Sequence, residues 1–176
     1  MKKLLVLPTA LSLLILAACG TSDVSTGSEG NSTEKKDNTE EVKKDEESGK
    51  TFDASSHTAE VLGMKVKLGE IKIEETKISV GVNLENTTDK VLNFYPDQGS
   101  LVVGDMQISA NLFLTTGTLG GEVQGGVKQD GVIEYLVDEG KKLDIDSITE
   151  VKLIFGDVTT EDFMQSQPME IVVPVK

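Results

Sequence analysis

The sequence predicts an all-β domain, a sandwich of about seven or eight short strands, and three observations predict it. From Lys77 to Glu85 the chain alternates without a break, with Ile78, Val80, Val82 and Leu84 set against Lys77, Ser79, Gly81, Asn83 and Glu85. A period of two marks a strand with one buried and one wet face. Clusters of turn formers then recur at roughly ten-residue spacing, as in sandwiches and barrels. The third observation is that no long stretch carries the 3.6-residue apolar stripe of a packed helix.

Ahead of the domain, residues 1–18 read as a signal peptide. Lys2 and Lys3 form a charged start, and Leu4 to Leu16 form an apolar run of 13 residues. A spanning helix needs roughly 20 apolar residues, so this run fits the apolar core of a signal. Leu16-Ala17-Ala18-Cys19 ends it, and Cys19 is the only cysteine in the chain. The pattern resembles the lipobox of bacterial prolipoproteins, which implies that Cys19 carries a diacylglyceryl group and becomes the mature N-terminus. An ordinary secretory signal with a cysteine near its cleavage site is the other reading. Lipidation spends the only thiol and leaves none for a disulfide, a metal or catalysis. Two acyl chains, of the palmitate class, hold a protein stably where one does not.

Residues 19–52 are predicted to be a disordered polar tether. Val24 and Val42 are almost its only apolar residues, and Gly20 to Phe52 holds 9 acidic and 5 basic side chains, a net of −4. Such a stretch buries too little apolar surface to offset the entropy of ordering. Its 33 residues would span about 30 Å as a coil and about 110 Å fully stretched.

Residues 53–176 are the predicted sandwich, enough chain for one core. Met64 to Ile73 reads as the first long strand and Lys77 to Glu85 as the second, ended by Asn86-Thr87-Thr88-Asp89-Lys90. Leu92 to Tyr95 follows. Leu101–Val103 and Met106–Ile108 form a hairpin turned at Gly104-Asp105. Gly131 to Val137 makes a further strand. Val151, Leu153 and Phe155 alternate again, and the chain closes on Met169, Ile171, Val173 and Val175. Pro174 lacks an amide donor, which places the last strand at a sheet edge. Thr159 to Met164 is the one helical candidate, capped by Thr159 or Thr160.

This domain carries 10 lysines against 21 carboxylates, a net of −11, and the whole chain has no arginine. That balance excludes the basic stripe that nucleic-acid binding requires and disfavours direct adhesion to anionic headgroups. It suits cationic partners, or simply keeps a secreted domain soluble.

Local candidates carry less. Gly117 to Gly126 lacks the ending of a phosphate loop and reads as a bulged strand or mobile loop, with a ligand-contacting loop as the alternative. Asp138, Glu139, Asp144 and Asp146 crowd one connection. Of these, Asp138, Asp144 and Asp146 are weak candidate ligands for a divalent cation, although Lys141 and Lys142 sit among them. His57 is the only histidine, so zinc or copper has no ligand set. Met64, Met106, Met164 and Met169 read as core filler, and Tyr95 as a partly exposed contact residue. No nucleophile-and-base arrangement is evident, so the sequence predicts no enzyme and calls for no cofactor.

Lys65 to Leu68, the strand ending Leu84-Glu85-Asn86-Thr87-Thr88-Asp89-Lys90, the turn Tyr95-Pro96-Asp97-Gln98-Gly99 and the later Gly-rich segment before a Val/Ile strand resemble an immunoglobulin-like domain of Gram-positive lipoproteins, the DUF4352-like group. The resemblance covers most of Met64 to Val175. It implies an immunoglobulin-like β-sandwich placed outside the cytoplasm and carries over no functional residue. The expectation is therefore a lipoprotein held on the outer face of the cytoplasmic membrane of a Gram-positive cell by a lipid on Cys19. Its head would act as a non-catalytic binding or interaction module toward a cell-envelope protein. An accessory ion- or solute-binding lipoprotein using the acidic connection is the alternative.

Overall fold

A computed structural model describes residues 24–26 and 49–175 of the chain. The signal segment, Cys19 and most of the expected tether lie outside the described residues. The described chain folds into twelve strands and one short 3₁₀ turn, Pro96–Gln98. The strands are β1 (Lys50–Asp53), β2 (Thr58–Val61), β3 (Met64–Ile73), β4 (Lys77–Asn86), β5 (Leu92–Phe94) and β6 (Ser100–Val103). They continue as β7 (Met106–Ser109), β8 (Thr116–Gly117), β9 (Gly121–Val123), β10 (Lys128–Leu136), β11 (Glu150–Thr160) and β12 (Ser166–Pro174).

Two antiparallel six-stranded sheets pack face to face as a β-sandwich, the predicted fold class. The first runs β3-β4-β10-β8, and β1 and β2 pair in tandem along the free edge of β3. The second is centred on β11. On one side β11 pairs with β12, and on the other with β6 and then β5, which carry β7 and β9. The count exceeds seven or eight because several edge partners are only two to four residues long.

The predicted alternation builds the core. Ile78, Val80, Val82 and Leu84 of β4 point inward with Ile133 and Tyr135 of β10. They meet Leu101, Val151, Leu153, Phe155, Met169, Ile171 and Val173 of the second sheet. Each buried aliphatic or aromatic side chain contributes about 1.5–3 kcal/mol in transfer free energy. Phe94 and Phe155 add an edge-to-face pair with centroids 6.5 Å apart. Two bulges change which parity faces inward: Leu68 gives way to Ile71 in β3, and Phe155 to Val158 in β11.

The hairpin at Gly104-Asp105 forms as predicted, with Val103 opposite Met106. Gly104 takes φ 58°, the left-handed first corner that a tight hairpin asks of glycine. Strand β12 pairs only with β11 and so lies at an edge, as Pro174 predicted. The Gly-rich segment supplies β8 to one sheet and β9 to the other.

Two expectations are corrected. Thr159 to Met164 is not a helix, because strand pairing continues through Thr160 and residues 161–164 turn the chain into β12. The Thr160 hydroxyl, read as a cap, instead donates to Asp162 Oδ1 at 2.6 Å and accepts from the Gln165 amide at 3.2 Å, closing that turn. At the other end of the domain, pairing begins at Lys50 rather than Asp53, since β1 completes the exposed edge of β3.

Candidate functional site

The sandwich has two unlike ends. At one, the turn after β4 meets the β2–β3, β9–β10 and β11–β12 connections. Asn86 holds much of it together from a fully buried position. Its Nδ2 donates to the carbonyls of Lys90 at 2.7 Å and Val123 at 2.8 Å, while its Oδ1 accepts from the Thr88 amide at 3.0 Å and the Thr88 hydroxyl at 2.8 Å. An asparagine followed two residues later by threonine suits such a turn. This fixed turn forms one wall of an open groove of about 470 Å³. The groove is lined by Leu62, Val91, Leu92 and Lys90 on one side and by Asp162 and Met164 on the other.

Phe163 and Met164 stand at the tip of the β11–β12 turn beside the groove, 72% and 81% exposed. Phe163 sits in the left-handed region at φ 57°. The Met164 amide donates to Asp162 Oδ1 at 3.1 Å. The Thr160 hydroxyl is the main cause, and that amide a second, of an Asp162 carboxyl held below the usual aspartate range. Met164 was expected in the core, so its exposure is a further correction. The turn residues around it place it beyond the end of the alternating strand. Met64 and Met169 are buried as predicted, and Met106 packs partly against the core.

The opposite end is charged. Here the β10–β11 connection carries Asp138, Glu139, Asp144 and Asp146. Asp138 pairs with Lys141 at 2.8 Å and Asp146 with Lys50, and in both the lysine contact holds the carboxyl below its ordinary range. Lys142 reaches across to Glu75. The Asp144 carbonyl accepts from the amide and hydroxyl of Ser147. The side chain of Asp144 lines an open cleft of about 340 Å³ with Lys50, Glu75 and Asp146. Two of these four carboxylates, Asp138 and Asp146, are thus taken up by separate lysines. Among the described residues no three His, Cys, Asp or Glu side chains gather as a cation would require.

The remaining candidates are dispersed. His57 lies in the β1–β2 connection, with Nδ1 3.3 Å from the Ala54 carbonyl. Tyr95 precedes the 3₁₀ turn and is partly exposed. On the outer face of the first sheet, Glu74 pairs with Lys72 at 3.0 Å and Lys77 at 3.5 Å. Glu134 accepts from Ser79 at 2.7 Å, so the part of that face nearest the β3–β4 turn is closed by its own charges. Leu112, Phe113 and Leu114 form a second exposed apolar tip, Phe113 at 97%. Sequence reading passed over both apolar tips. Three consecutive apolar residues after Asn111 were the available signal for the second, and nothing but exposure distinguishes Phe163.

No family model matches the chain, and no curated protein does. Among solved structures it is similar to a functionally unknown protein from Listeria monocytogenes EGD-e, at 11% sequence identity over 74% of this chain and 89% of that one, with a TM-score of 0.49.

Proposed function

We propose that this chain is a lipoprotein of the DUF4352-like kind, anchored through Cys19 to the outer face of the cytoplasmic membrane, with a head that works as a non-catalytic interaction module. The signal-like run ending in Cys19 supports the anchorage. The observation that carries the rest is the apolar end of the sandwich, where Phe163 and Met164 stand exposed beside a groove walled by Leu62, Val91 and Leu92. Apolar side chains grouped at an exposed tip mark contact sites more often than isolated ones do. Aromatic residues and methionine are also enriched in interface cores. The partner that fits is an envelope protein with a basic rim, because a head of net charge −11 steers cationic surfaces toward it.

A photo-cross-linking residue placed at Met164 in living cells tests this directly. We expect one defined protein adduct, absent when the same residue replaces Lys142 at the charged end. Equal, diffuse labelling at both positions would defeat the proposal. Mass spectrometry of the membrane-extracted protein checks the anchor separately, since it reads acylation at Cys19.

A further inference from the structure

The segment expected to hang free is in contact with the head. Val24, Ser25 and Thr26 lie against the outer face of the first sheet, far from the core between the sheets. Val24 is 8% exposed there although it sits in an otherwise polar stretch. The Glu70 amide donates to the Ser25 carbonyl at 2.9 Å, and the Ser25 amide donates to Glu70 Oε2 at 3.0 Å, so one residue grips another from both sides. Asn83 Nδ2 donates to the Thr26 carbonyl. The bulge in β3 explains why Glu70 is available, because the register shift between Leu68 and Ile71 takes its amide out of the β3–β4 ladder.

The floor of this seat is made of glycine. A Cβ built on Gly69 or on Gly81 would collide with the Ser25 carbonyl oxygen, and the three nearest atoms to each all belong to Ser25 or Thr26. Neither glycine has a positive φ. Backbone conformation therefore does not require them, and strands disfavour them. Their use is the close approach of another backbone. Beside Gly81 in register is Val132, buried on this outer face and outside the main core cluster.

We propose that Val24–Thr26 is an intramolecular ligand of this glycine-floored seat, and that docking it clamps the head close to the segment bearing Cys19. The 22 residues between Thr26 and Gly49 tie ligand to seat at an effective concentration of about millimolar, so the hydrogen bonds to Glu70 and Asn83, with one buried valine, suffice in cis. For the membrane-anchored reading above, on which this consequence rests, the reach changes greatly. From Cys19 to Val24 the chain extends at most about 17 Å, against about 110 Å for the whole tether. Release of three residues would switch the head between the two.

Hydrogen exchange at the Glu70 amide, followed in the full chain purified in detergent, tests the docking. We expect protection in the wild type. Gly81→Ala, which fills the seat, and Ser25→Pro, which removes a donor, should each speed exchange there at least tenfold and leave the β4 amides of Val80 and Leu84 unchanged. Unchanged Glu70 protection in both variants would overturn the proposal. Protection that falls on dilution would overturn it too, by placing a second copy's segment in the seat. An unmodified Cys19 would remove the membrane consequence while leaving the exchange result intact, so the two failures are distinguishable.

Discussion

The two ends of the sandwich are built from similar lengths of connecting chain and are held by different forces. At the end organised by Asn86, one buried amide satisfies two carbonyls and orders the turn beside an apolar groove. At the other, Lys50, Lys141 and Lys142 each meet a carboxylate across solvent-exposed ground. A buried polar group that loses its partners costs the full desolvation of what it leaves behind, whereas an exposed ion pair is worth little. Rigidity should therefore reside at the apolar end, and a rigid end is the better platform for recognition.

The largest expected effect is at Asn86. Asn86→Ala strands the Lys90 and Val123 carbonyls and should cost about 3 kcal/mol in urea unfolding. A loss below about 1 kcal/mol would mean that this end is no stiffer than the other. Tyr135, whose buried hydroxyl has no hydrogen-bond partner among the described residues, lies one strand row from the charged end. Burial pushes its phenol well above the ordinary tyrosine range. Tyr135→Phe should raise stability by about 1–2 kcal/mol, read as a higher Tm. A lower Tm would show that the hydroxyl is satisfied in solution. Lys142→Gln, which breaks the pair with Glu75, should change stability by no more than about 0.5 kcal/mol, measured in the same denaturation assay.

The smallest effect separates the ends by mechanism. Asp138 and Asp146 are held low by lysines, Asp162 chiefly by the Thr160 hydroxyl. In all three the folded value lies below the unfolded one. Their contribution is therefore present above the ordinary aspartate value of 3.8 and is lost as pH falls through the lowered folded value. Titration by carboxyl NMR in low and high salt should move Asp138 and Asp146 toward the ordinary value and leave Asp162 nearly where it was, because salt screens charge more than it weakens a hydroxyl contact. Equal movement of all three would erase the distinction.

How much was legible follows from the same physics. Ile78 to Leu84 declared its strand because one face is buried along its whole length, and Gly104-Asp105 declared its hairpin. Strands β1 and β2 did not, since Lys50–Asp53 and Thr58–Val61 are mostly exposed and owe their pairing to the free edge of β3. Thr159-Thr160-Glu161-Asp162 has the composition of a helix start, and the same side chains serve equally well to close a hairpin turn. The bulges were written in the spacing, in Leu68 followed by Ile71 and Phe155 by Val158, three apart where a flat strand gives two. The seat of Val24 was not readable at all. It consists of two glycines that look like weak points in their strands and become meaningful only when another backbone lies across them.

If the head is anchored at a membrane as proposed, the edge strand β12 has a consequence there. It contains Pro168 and Pro174, opposite Asp157 and Glu150 of β11, and proline offers no amide to an incoming strand. Neighbouring heads confined to one plane would collide often, and an unblunted border would let them zip together into ribbons. Two prolines among nine residues interrupt that border, so copies can be packed densely and stay separate molecules.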